Sequence, residues 1–326
     1  MANFFVTGAN GFVGQRLVKH LIEENHTPVA LIKDLNRKTD PAVREALIRK
    51  GAEVRGDILD KDLIRTVLSK YEIDYVINLA AVPIVKMCDS DPWSAYNVNV
   101  VGPIILFEAI RDQMQRNNRI KKVIHMSTDK SYGDSSPPGG YLEDTPFEVT
   151  DTYSVSKACG DMIARSYART YGLPVCVVRC GNLYGGGDLN LSRLVPGTIL
   201  RLLNNQQPVL YTDAAEMKRE FIHVQDIIGA YMTLIESGVP GEAYNVGTAG
   251  MYKILDVMNK MREKVNPDVE IDIVERDFFE IQEQCLNSDK LQKLGWKCSL
   301  DLDAGLEEAV GWYKKWWEAT TVKKGS

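Results

Sequence analysis

The chain has 326 residues, 44% of them hydrophobic and 25% charged, and 39 basic against 44 acidic residues give a formal net charge of −5. These proportions are typical of a globular protein and exclude a collagenous or largely disordered chain. The slight acidity gives no reason to expect a nucleic-acid partner. No apolar run approaches the roughly 18 residues of a membrane span, so we expect no membrane partner. Six scattered cysteines without a secretory leader indicate reduced thiols and a cytoplasmic location.

Short apolar runs alternate with longer amphipathic stretches through the first half of the chain. The apolar runs predict strands, at residues 3–7, 29–32, 53–55, 75–80, 122–127 and 175–179. The amphipathic stretches predict helices, at residues 13–24, 42–50, 61–70, 93–115 and 153–171. Strands that are apolar on both faces and alternate with helices indicate a parallel sheet covered by helices. We therefore predict an α/β fold with a Rossmann-type doubly wound sheet.

The alternation breaks after about residue 181, where loops and glycine-rich turns follow. Residues 221–224, 226–237 and 243–246 read as strand, helix and strand that return to the main domain. The predicted domains are thus a dinucleotide-binding part, 1–180 with about 220–247, and a smaller nucleotide-sugar-binding lobe, about 181–219 with 248–326. No grouping of cysteines and histidines predicts a metal site.

A glycine-rich turn joins the first strand to the first helix. Gly8, Gly11 and Gly14 permit a tight turn, close approach of the main chain to a pyrophosphate, and close packing of helix on strand. The start of the helix offers unpaired N–H groups and a partial positive charge to phosphate. The turn predicts dinucleotide binding, with contacts from Gly8, Asn10, Gly11, Phe12, Val13 and Gly14.

Residues at the ends of the next strands bear on the choice of cofactor. Asp34 favours NAD, because a carboxylate accepts from the ribose hydroxyls, whereas Lys33 and Arg37 favour the 2′-phosphate of NADP. We predict NAD and leave NADP open, since the two cations also fit a solvated loop. The remaining predicted cofactor contacts follow the third and fourth strands: Asp57, Ile58, Leu79, Ala80 and Ala81.

A tyrosine and a lysine four residues apart supply a candidate proton-transfer pair. Tyr153 and Lys157 lie one turn apart on the same face of the helix predicted over 153–171. A free phenol has a pKa near 10, and a neighbouring ammonium would lower that pKa by favouring the phenolate. Tyr153 would then accept a proton from a substrate hydroxyl while the carbon loses hydride to the cofactor.

Taken together in order and spacing, these motifs resemble the extended short-chain dehydrogenases/reductases, in particular the nucleotide-sugar epimerases and dehydratases. The resemblance extends over nearly the whole chain and includes residues 7–14, 57–58, 79–81, 99–102, 127–128, 153 and 157, 179–185 and 219–224. It implies a tightly held NAD(P), which Asn99, Ser127, Tyr153 and Lys157 also contact, and a nucleoside-diphosphate sugar between the two lobes. It further implies a homodimer.

The segment after the fifth strand separates the branches of that family. Epimerases generally carry small or hydroxyl residues where Asp129 and Lys130 stand, because inversion at one carbon needs no second acid. A 4,6-dehydratase must also remove the C5 proton and protonate the departing C6 hydroxyl, which calls for an acid and a base next to Thr128. The pair resembles that of CDP-glucose 4,6-dehydratases, and this implies Asp129 as the acid and Lys130 as the base. Which of the two is acid and which is base stays open, and so does a solvated turn pair.

The resemblance also implies a set of substrate contacts. Asn182 and Arg219 would bind the diphosphate, Leu194 and Val195 would begin a segment over the base, Thr128 would contact the sugar, and Lys86 would add a phosphate contact. We therefore predict a nucleotide-sugar 4,6-dehydratase. The alternatives are a 4-epimerase with the same tyrosine and, in a different class, a non-catalytic NAD(P)-binding protein. The sequence does not identify the nucleotide or the sugar.

Overall fold

A computed structural model describes residues 1–33, 41–117, 119–133, 136–248, 250–275 and 283–321. Among these residues seven parallel strands form the central sheet: β1 (Asn3–Thr7), β2 (Thr27–Ile32), β3 (Ala52–Arg55), β4 (Tyr75–Asn78), β5 (Lys122–Met126), β6 (Val175–Cys180) and β10 (Ala243–Val246). Their spatial order is β10-β6-β5-β4-β1-β2-β3. The predicted α/β class and doubly wound sheet are confirmed.

Helices cover both faces of this sheet. They are α1 (Phe12–Glu23), α2 (Pro41–Lys50), α3 (Lys61–Lys70), α4 (Val85–Ser90), α5 (Pro92–Tyr96), α6 (Gly102–Asn117), α7 (Thr152–Tyr171) and α10 (Val224–Ser237). One apolar core lies beneath α1, α2 and α10, and a second lies beneath α3, α6 and α7. Since both faces of the strands are buried, their runs are apolar without alternation, as the sequence shows.

The chain order reverses at the centre of the sheet, between β1 and β4. The connections from these two strands run to opposite sides, so a crevice opens beyond their carboxyl ends. The Thr7 side chain determines where β4 ends beside that crevice. The predicted fourth strand extends to residue 80, but β4 ends at Asn78, because the hydroxyl of Thr7 accepts from both Leu79 N and Ala80 N at 3.1 Å.

The remaining elements surround a second, smaller set of strands. These are β7 (Asn182–Tyr184), α8 (Leu194–Leu203), β8 (Val209–Tyr211), α9 (Thr212–Ala215), β9 (Lys218–His223), β11 (Met251–Lys253), α11 (Ile254–Val265), β12 (Asp272–Val274), β13 (Glu283–Gln284), α12 (Asp289–Gln292) and α13 (Leu302–Thr321). A third apolar core joins α8, α11 and α13. Among the described residues no helix is both long enough and apolar enough to cross a bilayer.

Two predicted elements differ from the structure. Residues 221–224 were expected to return to the main domain, but they belong largely to β9, which pairs with β7, β11 and β13 in a separate sheet, while β10 and α10 do join the central one. The helix predicted over 93–115 is interrupted by a π-helical turn at Asn97–Val101. The domain boundaries themselves stay a prediction.

Candidate active site

A cavity of about 980 Å³ lies over the carboxyl ends of the central strands. It brings together most of the predicted site residues, although the chain separates the first from the last by 211 positions (8 to 219). The predicted residues that line it are Gly8, Asn10, Gly11, Phe12, Val13, Gly14, Lys33, Asp57, Ile58, Leu79, Ala80, Ala81, Ser127, Thr128, Asp129, Lys130, Tyr153, Lys157, Asn182, Leu194, Val195 and Arg219. Asp34 and Arg37 fall outside the described residues.

The glycine turn is shaped by main-chain contacts that leave no room for side chains. Gly8 has φ +64°, and a Cβ there would lie 2.8 Å from the Leu79 carbonyl carbon. A Cβ on Gly14 would lie 2.3 Å from the Gly8 carbonyl oxygen. Gly11 caps α1 without a side-chain hydrogen bond, so the first N–H groups of the helix face the cavity unshielded by a capping side chain. The turn therefore fits a pyrophosphate held by main-chain groups.

A salt bridge at the adenosine end of the cavity bears on the cofactor. Lys33 Nζ lies 2.7 Å from Asp57 Oδ2, while Asp57 Oδ1 accepts from Leu59 N. The carboxylate compensates the charge of the lysine that was expected to favour NADP. This pairing favours NAD over NADP.

Tyr153 lies at the floor of the cavity, where its phenol is hydrogen-bonded to Thr128. Lys157, 6% exposed, donates to the main-chain oxygen of Met126. Burial raises the pKa of Tyr153 and lowers that of Lys157 from 10.5 to about 8. The expectation that Lys157 lowers the pKa of the phenol is therefore not met by the protein groups alone, because the ammonium is directed at a carbonyl.

Asp129 and Lys130 begin a 3₁₀ turn, Asp129–Tyr132, which two residues separate from the end of β5. Asp129 is 6% exposed, accepts from the Thr128 hydroxyl at 3.1 Å, and has a pKa raised by burial. A buried carboxyl with a raised pKa is suited to donate a proton. Lys130 also lines the cavity but is only half-buried. The solvated turn pair is thus excluded for Asp129.

A buried ion pair fixes this turn against α7. Arg179 bonds to Asp161 through two nitrogens, at 2.8 and 3.0 Å, and both side chains are fully buried. Arg179 also donates to the Tyr132 hydroxyl at 2.6 Å, and that hydroxyl donates to Asn245 Oδ1. Because Asp161 lies one turn after Lys157, the network ties the helix of the proton-transfer pair to the turn of Asp129.

Two predicted contacts lie elsewhere. Asn99 sits in the π-helical turn behind the cleft, where it exchanges two hydrogen bonds with the main chain of Val82 and donates to Ser156 Oγ. Its side chain thus supports the wall and does not line the cavity. Lys86 is exposed on α4, a helix that the sequence did not reveal, and is not among the lining residues, although its neighbour Val85 is.

Two arginines from different segments of the chain line another part of the cavity. Arg219 on β9 is 9% exposed and donates to the main-chain oxygen of Lys218. Asn182 is exposed and donates to Glu220 O. Arg193, which sequence reasoning missed, lines the cavity as the residue preceding α8 and pairs with the buried Asp188 at 3.0 Å. Its position directly before Leu194, a predicted substrate contact, is the sequence signal that could have identified it. Two guanidinium groups and a helix start favour an anionic ligand here.

Comparisons with known proteins agree with this geometry. The model of the NAD dependent epimerase/dehydratase family matches residues 4–247. A dTDP-glucose 4,6-dehydratase of Streptomyces antibioticus is 30% identical over 334 residues, with 97% of this chain and 94% of the relative covered. The dTDP-glucose 4,6-dehydratase of Streptomyces venezuelae, solved with NAD and TDP bound, superposes with a TM-score of 0.85 at 26% identity, with 97% of this chain and 99% of that one covered.

A UDP-glucose 4-epimerase of Thermotoga maritima superposes with a TM-score of 0.88 at 24% identity, with 97% and 99% of the two chains covered. At that identity the likeness concerns the fold alone. The same architecture therefore accommodates isomerases and lyases, and the chemistry has to be argued from the site.

Proposed function

Because this chain belongs to the NAD dependent epimerase/dehydratase family, we propose that it is an NAD-dependent nucleotide-sugar 4,6-dehydratase, which converts a nucleoside-diphosphate hexose to its 4-keto-6-deoxy derivative. The observation that carries the proposal is Asp129, a buried carboxyl with a raised pKa in the cavity that also contains the glycine turn and Tyr153. A 4-epimerase needs no second acid at that position. A non-catalytic protein needs neither Asp129 nor Tyr153.

Bound NAD would accept the hydride that leaves C4, would return the same hydride to C6, and would supply a positive charge near Tyr153. Tyr153 takes the proton of the C4 hydroxyl as that carbon is oxidised, with Thr128 hydrogen-bonded to the phenol. Lys157, which donates to Met126 O, places a buried ammonium on α7, the helix that also carries Tyr153. In this scheme the protein groups orient the sugar hydroxyl and hold its proton.

Elimination follows from the acidity of C5 beside the new ketone. Asp129 protonates the C6 hydroxyl, which leaves as water, and Lys130 removes the C5 proton. The assignment follows burial: because burial raises the pKa of Asp129, this carboxyl holds a proton at neutral pH more often than an exposed one and can act as the acid, which leaves Lys130 as the base. Return of hydride to C6 and of a proton to C5 completes the product.

The substrate diphosphate lies between Arg219 and Asn182, with Arg193 beside them, and the start of α8 at Leu194 and Val195 lies against the nucleotide. Planar guanidinium groups match diphosphate oxygens in geometry as well as in charge. Both dehydratases named above are dTDP-glucose 4,6-dehydratases, so dTDP-glucose is the first substrate to test, followed by the UDP and CDP sugars.

The test is to incubate the protein separately with dTDP-, UDP- and CDP-glucose and to follow the alkaline absorbance of a 4-keto-6-deoxy product, with mass spectrometry for the loss of water. Asp129→Asn should lower the rate of water loss about 10²- to 10⁴-fold while hydride exchange at C4 continues. A C4 epimer without loss of water would identify a 4-epimerase. Absence of turnover with every sugar would favour a non-catalytic NAD-binding protein, and unchanged turnover in Tyr153→Phe would contradict the role of Tyr153.

We also propose that the protein is a homodimer and cytoplasmic. Exposed apolar side chains, Met87, Trp93 and Met162, occur on α4, α5 and α7, three helices that pack together. A second copy of the chain would cover them. The six cysteine thiols are free, as in a reducing compartment. Light scattering should give twice the chain mass, and Trp93→Asp should shift it to the monomer.

A further inference from the structure

One carboxylate joins three segments that are far apart in the chain. Glu308 Oε1 on α13 lies 2.5 Å from Arg16 Nη2 on α1, and Oε2 accepts from Gly186 N at 3.1 Å. Oε2 also lies 3.2 Å from His223 Nε2. Because Gln225 N donates to His223 Nδ1, the imidazole proton sits on Nε2 and is donated to Glu308. These contacts lower the pKa of Glu308 from 4.5 to about 2.

The loop of Gly186 is held against α13 at further points. The Tyr313 hydroxyl donates to the main-chain oxygen of Asp188 at 2.6 Å. Gly186 lies so close to Trp312 that a Cβ on the glycine would be 2.4 Å from Trp312 Cγ. The last long helix of the chain therefore determines the path of residues 185–188.

That loop ends at the cavity with a charged pair. The Asp188 side chain is 1% exposed and holds Arg193 at 3.0 Å, and Arg193 lines the cavity. A buried carboxylate restricts the guanidinium to a small set of orientations. The position of this cleft cation thus depends on a loop that Glu308 anchors from outside the cleft.

We propose that Glu308 is a positioning residue that sets nucleotide affinity, since it fixes the loop of Gly186 and thereby the Asp188–Arg193 pair. Its contact with Arg16 connects that loop to α1, the helix that begins at the glycine turn. The inference rests on the proposed function in one respect: the ligand near Arg193 is a nucleoside diphosphate. Glu308 itself is not among the residues that line the cavity.

The test measures binding of dTDP, UDP and CDP to the NAD-loaded protein by calorimetry. Glu308→Ala should weaken binding of the tightest of the three nucleotides about tenfold, and Glu308→Gln should weaken it less. Glu307→Ala is the matched control, because Glu307 is the neighbouring carboxylate on α13 and pairs with the distant Lys264. It should bind as the wild type does. In turnover, Glu308→Ala should raise KM and leave kcat within about twofold.

A double-mutant cycle distinguishes positioning from a general loss of structure. If Glu308 acts through Arg193, the double variant Glu308→Ala/Arg193→Met should bind no more weakly than Arg193→Met alone. Additive losses, or a lower melting temperature with wild-type nucleotide affinity, would overturn the inference. Should Glu308→Ala fail to fold, the same cycle with Glu308→Gln decides.

Failure of the proposed function gives a different result. If the wild-type protein bound none of dTDP, UDP and CDP, the proposed substrate class would be wrong and the inference would fall with it. If the wild type bound a nucleotide and both Glu308 variants bound it equally well, only the inference would be wrong.

Discussion

Two sides of the same cleft are built in different ways. On the cofactor side, residues 7–14 with 79–81, main-chain groups of one short turn approach the neighbouring strand directly, as at Gly8 and Leu79. On the sugar side, residues 182–196 with Arg219, the wall depends on side-chain pairs: Asp188–Arg193 lies within the segment, and Arg16–Glu308 joins α1 to α13, which supports it. The first kind of wall tolerates no added atom, whereas the second loses its shape when one partner of a pair is removed.

The largest expected effect is on the cofactor side. Gly14→Ala should lower the free energy of unfolding by about 3 kcal/mol, because the methyl group would lie 2.3 Å from the Gly8 oxygen. It should also abolish retention of NAD. Urea unfolding and the nucleotide released on denaturation measure the two effects. Gly311→Ala, a helical glycine with no atom within 4 Å of an added Cβ, should be neutral or stabilising. Equal losses of stability in the two variants would contradict the close packing proposed for the glycine turn.

The second prediction concerns a buried charge on the cofactor side. Since burial lowers the pKa of Lys157 to about 8, the charged lysine destabilises the fold below that pH. Lys157→Met should therefore be inactive but about 2 kcal/mol more stable at pH 7. The unfolded state binds more protons between about pH 8 and 10.5, so wild-type stability rises in that range and the advantage of the variant shrinks. A variant less stable than wild type at pH 7 would contradict this account.

On the sugar side we expect changes in affinity at constant stability. Arg219→Met should raise KM about tenfold through the loss of a charged hydrogen-bond donor, with NAD content and melting temperature unchanged. Lys218→Met is the control, because Lys218 is the adjacent cation and pairs with Glu283 on the outer side of the sheet. A loss of NAD in Arg219→Met would show that the two sides are not separable.

The smallest expected effect is the loss of folding stability at acid pH as Glu308 becomes protonated. Its pKa is lowered to about 2, so it contributes stability that is complete above about pH 4.5 and is lost as the pH falls toward 2. The stability difference between wild type and Glu308→Gln should shrink over that range in urea titrations. Because Glu308 is about a third exposed, solvent screening keeps this difference small. A difference that is independent of pH would contradict the role of the ion pair.

The same contrast explains how much the sequence could predict. The alternation of strands and helices predicted the fold, and the glycine turn, which is local, predicted the cofactor side. Arg193 had a local signal in its position before Leu194, whereas Glu308 depends on Gly186, 122 residues away, and no local pattern marks such a contact. Asn99 was assigned to the cofactor through the family resemblance of residues 99–102, but in the π-helical turn its side chain exchanges hydrogen bonds with Val82.

The contact between Glu308 and Gly186 also orders events during protein synthesis. All of the glycine turn, the central strands and Tyr153 are translated before α13, which supplies Glu308 and Tyr313. Domains generally fold from the N-terminus as the ribosome proceeds. The nascent chain can therefore acquire its dinucleotide while α13 is still missing from the nucleotide side, and competence toward the sugar arrives only after α13 has been translated.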